Sequence, residues 1–231
     1  MDGAQTHEPT FLFADLAGFT ALTEAMGDEE AADVAVDFCT SVRALLGDHG
    51  TEEVKTIGDA LMLHARDPAW AVELGLRIVE DVGSRHYFPV VRVGMHTGAA
   101  VERAGDWFGA AVNLAARVSA AAAGSEVLLT DATRRASGTL TGIALHARGR
   151  RSFRNVAEPV EIFAAVRTGV ETDVGLPIDP VCRMAVDPDH AAGQLVHDGV
   201  EYHFCSLACA NAFSGNPARY ASAGTGVDRD R

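Results

Sequence analysis

The sequence predicts an α+β sandwich of the ferredoxin-like kind, elaborated toward its C-terminus and followed by a small cysteine-containing unit. Three observations predict it. Apolar periodicity runs strand, helix, hairpin, helix, strand, helix, strand, with a late hairpin. Arg167–Ile178 then loses that periodicity and carries Gly, Thr, Asp and Pro, the composition of a linker. Beyond the linker, three of the four cysteines gather at the spacing Cys182-x22-Cys205-x3-Cys209.

Each element has a local cause. Thr10–Asp15 is a short apolar strand ending in an acid, and Leu16–Thr20 is a glycine-containing turn into a helix. Asp28 is expected to cap the next helix, with Glu29 and Glu30 in its first turn; Ala31, Val34, Ala35, Phe38, Val42 and Leu45 recur at helical spacing until Gly47. Val54–Ile57 and Ala60–Leu63 are two strands joined through Gly58. Asp67-Pro68 opens a helix whose buried face is Ala71, Leu74, Ile78 and Val82. Pro89–His96 alternates as a strand, Ala110–Ala123 is a small-residue helix closed by Gly124, and Glu126–Thr130 is a strand. Strands around Leu145–Phe153 and Val160–Val166 close the first domain. The expected organisation is a leader (1–9), a first domain (10–168), a linker (169–178), a second unit (179–221) and a flexible tail (222–231).

Composition narrows the function. A formal charge of −13 argues against a nucleic-acid or anionic-membrane surface, and Arg148–Arg154 is a short basic patch. No apolar run approaches the ~20 residues of a membrane span, and the polar first ten residues do not read as a signal peptide. A soluble cytoplasmic protein is expected, whose cysteines serve as thiols or metal ligands rather than as a disulfide framework.

Several polar residues stand where apolar ones would be cheaper. Lys55 and Asp59 sit in an otherwise apolar hairpin. Asp15 and Asp59 each end a strand; alone each reads as a solvated turn acid, and together they form a hard-oxygen site suited to magnesium. Asn113 and Arg117 lie four apart and share one face of the alanine-rich helix, either an ordinary exposed face or one turned to something polar and anionic. Cys39 falls on a buried helical stripe and reads as core; His64 and His96 read as structural strand histidines.

In this order and spacing FADLAGFTALTE, EVKTIGDALM, VRVGMHTG and GDWFGAAVNLAARV closely resemble the catalytic domain of class III nucleotidyl cyclases, and NVAEPVEIFAAV looks like that family's closing strand. The resemblance covers about Thr10–Thr168 and implies the nucleotide cyclase version of the sandwich. It implies that Asp15 and Asp59 bind two Mg2+ (or Mn2+), that Lys55 and Asp106 read adenine, that Asn113 orients the ribose and that Arg117 neutralises the α-phosphate. Gly18, Phe19 and Thr20 would contact phosphate through backbone N–H groups, and Arg154 falls near a phosphate-binding lysine position. It also implies a homodimer with each site shared between two chains, and conversion of ATP to cyclic AMP and pyrophosphate.

The second unit, from DPVCRM through YHFCSLAC, resembles the YHS domain, related to the metal-handling TRASH domain. Thiolates at this spacing suit Zn2+ or Cu+, with packing or a Cys205–Cys209 redox pair as alternatives. Asp187, His197 and His203 are candidates for a fourth ligand. Arg183 stands where DPVCGM has glycine, so a backbone position needing positive φ would be strained. The leading expectation is an adenylate cyclase with a metal-binding regulatory module. The alternatives are a non-catalytic nucleotide-binding and dimerisation module, and a metal-binding protein whose output is the cyclase domain.

Overall fold

The computed structural model describes residues 8–47, 50–85, 87–169 and 176–221. The expected tail from residue 222, most of the expected leader and the linker residues 170–175 lie outside the described residues.

The chain begins β1 (Thr10–Leu16), α1 (Phe19–Met26), α2 (Asp28–Leu45), β2 (Thr51–Ile57), β3 (Ala60–Ala65), α3 (Pro68–Arg77) and β4 (Val91–Thr97). These strands lie in the order β2-β3-β1-β4, the ferredoxin-like arrangement, with antiparallel neighbours. β5 (Val101–Arg103) and β6 (Asp106–Phe108) form a separate small hairpin, and α4 (Ala110–Ala120) follows. β7 (Val127–Thr130) joins β4 in parallel; after α5 (Asp131–Ala136), β8 (Ile143–Arg151) and β9 (Val160–Arg167) extend the sheet to seven strands. This is the expected α+β sandwich with its C-terminal elaboration.

Two boundaries differ from expectation. Gly27, at φ 92°, caps α2 in place of Asp28, which becomes the first helical residue and sets its carboxylate against the positive helix end. α4 stops at Ala120, because residues 121–124 turn the chain back toward β7. Leu12, Phe38, Leu61, Leu63, Leu74 and Val91 are fully buried in the main core. Cys39 belongs to the same core. Gly94 of β4 passes so close to α4 that a Cβ there would lie 1.9 Å from the Ser119 nitrogen, which places α4 and its polar face tightly on the sheet.

The C-terminal unit comprises β10 (Gly193–His197), β11 (Val200–Phe204), α6 (Leu207–Gly215) and α7 (Pro217–Tyr220). Its core is shared with the first domain. Val181, Met184, Phe204 and Phe213 pack in one cluster with Leu22 of α1 and Ala31 of α2. Fully burying one such large side chain contributes about 1.5–3 kcal/mol, whereas the exposed Arg219–Glu24 ion pair between the units is worth under about 1 kcal/mol. Apolar contact therefore holds the unit on α1 and α2. Among the described residues no helix is long and apolar enough to cross a membrane.

Candidate functional site

Asp15 is next to last in β1 and pairs across the sheet with Ala60, so Asp59, in the turn before β3, presents a second carboxylate beside it. Burial is the largest influence on both and pushes each carboxyl above its usual range. The charge of Asp15 adds to the effect on Asp59, while Arg92 draws Asp15 partly back. Two acids crowded and desolvated in this way form a site that a small hard cation would relieve, and their oxygen donors fit magnesium.

Arg92, which sequence reasoning did not single out, is the residue facing Asp15 on β4. Its Nε and Nη2 donate to the two carboxylate oxygens at 2.5 and 3.2 Å. The alternation of the strand was legible, but the register that places Arg92 opposite Asp15 was not.

Lys55 of β2 and Asp106 of β6 are brought together from 51 residues apart: Nζ donates to Oδ2 at 2.6 Å. The other carboxylate oxygen accepts from the Trp107 N–H at 2.8 Å, and the lysine holds the Asp106 carboxyl below its usual range. A donor and an acceptor thus stand side by side at the edge of the sheet.

Asn113 and Arg117 project from α4 into a cavity of about 400 Å3 that His96, Asn155 and Val156 also line. Arg154 lies exposed in the turn beside Asn155. Neither Asp15 nor Asp59 lines this cavity. Gly18, at φ 89° and ψ 27°, caps α1. This left-handed conformation suits glycine, and it leaves the first helical N–H groups, at Phe19 and Thr20, without intrahelical partners.

His64 stacks on Trp107, ring centroids 4.7 Å apart. His96 donates to or accepts from the Thr130 hydroxyl at 2.8 Å, within a line of buried hydroxyls at Thr10, Thr97 and Thr133. Burial pulls its pKa down to about 4, so the folded state keeps it neutral while the unfolded chain takes up a proton below about 6.5. Stability is therefore expected to fall as pH drops from 6.5 toward 4, with His96 supplying on the order of 2 kcal/mol of the loss. Denaturation at pH 7 and pH 4.5 should show that share removed in His96→Gln.

In the C-terminal unit the donor atoms of Asp179, Cys182, Cys205 and Cys209 all lie within 4.8 Å of one another, a cluster that could hold a metal ion. The Sγ atoms of Cys182 and Cys205 are 3.3 Å apart, those of Cys205 and Cys209 3.9 Å. The fourth donor in this cluster is Asp179, and Asp187, His197 and His203 are not among its members. Asp187 bonds His190, His203 faces Gln194, and His197 meets the Phe213 ring edge-on. Asp179 is fully buried and accepts N–H groups from Val181, Cys182 and Cys205, so it organises the cluster as well as joining it. Hydrogen bonding with the Cys182 and Cys205 thiols draws the Cys209 thiol far below its usual range, whereas hydrogen bonding with Cys205 and Cys209, and then burial, pushes the Cys182 thiol far above it. Three soft sulfurs and a carboxylate fit a thiophilic ion such as zinc. Arg183, beside Cys182, has φ 68°, the strained conformation expected for a residue replacing glycine, at a cost of about 1–2 kcal/mol.

Residues 2–164 match the adenylate and guanylate cyclase catalytic domain, and residues 178–224 match the YHS domain. The chain is 38% identical over 169 residues to the pH-sensitive adenylate cyclase MT1302 of Mycobacterium tuberculosis, covering 72% of this chain and 42% of that protein. It is 37% identical over 124 residues to an adenylate cyclase of Streptomyces griseus, covering 54% and 31%. The chain therefore spans less than half the length of these relatives. Among solved structures, an adenylate cyclase of Trypanosoma brucei in its monomeric state superposes at a TM-score of 0.60 with 25% identity, covering 71% of this chain and 90% of that one. The adenylyl cyclase CyaB of P. aeruginosa gives 0.60 at 22% identity, covering 70% and 95%, a likeness of fold. With well over half of its length so matched, the chain belongs to the adenylate and guanylate cyclase catalytic domain family and carries a YHS domain behind it.

Proposed function

We propose that the chain is an adenylate cyclase, converting ATP to 3′,5′-cyclic AMP and pyrophosphate at two equivalent sites of a cytoplasmic homodimer. Residues 10–168 form the catalytic domain and 179–221 a metal-binding regulatory module. The observation that carries the reading is the Lys55–Asp106 pair, with Nζ and Oδ2 2.6 Å apart. Adenine offers an acceptor ring nitrogen beside a donor amino group, which one ammonium and one carboxylate match; guanine presents the reverse. Two relatives at this level of identity are named adenylate cyclases, which supports the reading.

In this reading Lys55 and Asp106 turn from each other to the base, and Asn113 orients the ribose. The 3′-oxygen attacks the α-phosphorus, its proton is released, and the bond to the β-phosphate oxygen breaks to free pyrophosphate. Bound at Asp15 and Asp59, two magnesium ions would lower the pKa of the 3′-hydroxyl and offset charge on the triphosphate. Arg117 meets the negative charge that builds on the α-phosphate. The Gly18–Thr20 turn and Arg154 hold phosphate oxygens. Arg92, already beside Asp15, is placed to share its guanidinium with the triphosphate. Lys55, Asp106, Asn113 and Arg117 complete the site from the partner chain, so that Lys55 and Asp59 of one hairpin serve different sites; that the Asn113–Arg117 cavity is not lined by the acids supports this.

ATP and GTP turnover, measured side by side on the purified chain with magnesium, tests the reading. Cyclic AMP should form at least about tenfold faster than cyclic GMP, the scale on which a mispaired base edge discriminates. Binding of ATP without turnover would instead support the non-catalytic nucleotide-binding module.

A further inference from the structure

The four-donor cluster and the proposed phosphate-contacting turn are one residue from touching. Cys182 is followed by Arg183, and the Arg183 side chain lies on Gly18: a Cβ at Gly18 would stand 2.5 Å from the Arg183 Cγ and 3.2 Å from its Cβ. A residue in a conformation suited to glycine thus fills the space that a true glycine leaves open, and both depend on positive φ. The backbone repeats the connection. The Val90 N–H donates to the Arg183 carbonyl at 3.3 Å, and the Ala17 N–H donates to the Val90 carbonyl at 2.8 Å. Ala17 is two residues past Asp15, and Val90 two residues before Arg92. Further bonds between Tyr87, Phe88 and Ala185 dock the same segment. Between α1 and the C-terminal unit lies a cavity of about 470 Å3 lined by Gly18, Ala21, Arg183 and Cys209, so one member of the cluster faces the same space as the turn.

We propose that a thiophilic metal ion held by Asp179, Cys182, Cys205 and Cys209 raises the affinity of the cyclase site for MgATP by fixing Arg183 against Gly18. This rests on reading the Gly18 turn as a phosphate contact. Arg183 is a positioning residue: its side chain lies against Gly18 and acts through the turn. Metal ligation draws residues 179–182 onto Cys205 and Cys209, and the next residue then has a single seat. The seat of Arg183 on Gly18 is set by the packing of the two units, and ligation of its neighbour Cys182 narrows the positions it can take there. Coupling between two binding sites is reciprocal, so bound nucleotide must tighten the metal by the factor by which metal tightens the nucleotide.

Zn2+ affinity of the full chain, measured by chelator competition in excess magnesium with and without a non-hydrolysable ATP analogue, tests this. Nucleotide is expected to tighten Zn2+ about fivefold or more, the lower end of ordinary coupling, and Zn2+ to lower the Kd of the same ATP analogue by the same factor. Exchange of the Ala17 amide should slow on Zn2+ loading. Arg183→Gly suits the local φ and keeps every metal donor; it should bind Zn2+ yet lose the mutual tightening, while Arg183→Lys, with its similar stem, should retain it. Failure of the wild type to bind Zn2+, a Zn2+ affinity blind to nucleotide, or an equal shift in Arg183→Gly would each overturn the proposal. A chain that shows the linkage but leaves ATP intact would refute the catalytic reading and uphold the coupling. A chain that consumes ATP with no linkage would do the opposite.

Discussion

Asp59→Ala is expected to abolish cyclic AMP formation with either magnesium or manganese, lowering kcat by roughly 10²–10³-fold or more, while the protein folds as before. Among the described residues Asp59 makes no salt bridge; it feels backbone N–H groups, the like charge of Asp15 and, more weakly, the opposite charge of Arg92. Burial and that repulsion raise its pKa, so the ionised carboxylate at neutral pH opposes folding. A group that costs stability and is nonetheless placed beside a second acid is explained by a cation that neutralises both. The variant's melting temperature should therefore equal or exceed that of the wild type, and a thermal melt beside a turnover assay measures both. Loss of turnover with a large fall in melting temperature would point to a structural role instead, and undiminished turnover would refute the metal role. The same pKa direction predicts that the magnesium concentration giving half-maximal rate rises as pH falls, because protons compete for carboxylates that hold them more tightly than usual.

The sandwich was legible because each of its elements carries its own period and its own stop signal. The Lys55–Asp59 hairpin was legible for a different reason: charged residues in an apolar hairpin ask for a purpose. What the sequence concealed are relations between elements. Arg92 reads as the outward residue of an alternating strand, and only the β1–β4 register turns it into the partner of Asp15. Asp179 reads as the acid of an Asp-Pro turn, yet it is fully buried and takes three backbone N–H groups plus a place among the thiols. An acid three residues before a cysteine was the available signal, and the histidines drew attention from it. The docking of the C-terminal unit on α1 was equally hidden, since Leu22 and Ala31 show the same helical period whether they cover their own sheet or a neighbour. Arg183 was the exception. Its replacement of a glycine pointed to strain at the right position, and the structure supplies the contact with Gly18 that the strain accompanies.

Two inactive variants, Asp59→Ala and Arg117→Ala, are expected to restore activity when mixed. In the proposed dimer each site takes its acids from one chain and its Asn113–Arg117 pair from the other, so a mixed dimer holds one intact site and one doubly damaged site. With random exchange half of the dimers are mixed, and the activity per chain should reach about a quarter of the wild type, against about 10⁻² or less for either variant alone. The monomer geometry gives the reason to expect this, because the cavity that Asn113 and Arg117 line is not lined by Asp15 or Asp59. A site complete within one chain would give no recovery, since every chain in the mixture would still lack one of its groups. Co-refolding or co-expression in equal amounts, read as cyclic AMP formed, separates the two cases. Recovery that rises and then falls as the ratio of the variants is varied through unity would tie the effect to the mixed dimer, because only the heterodimer population peaks there.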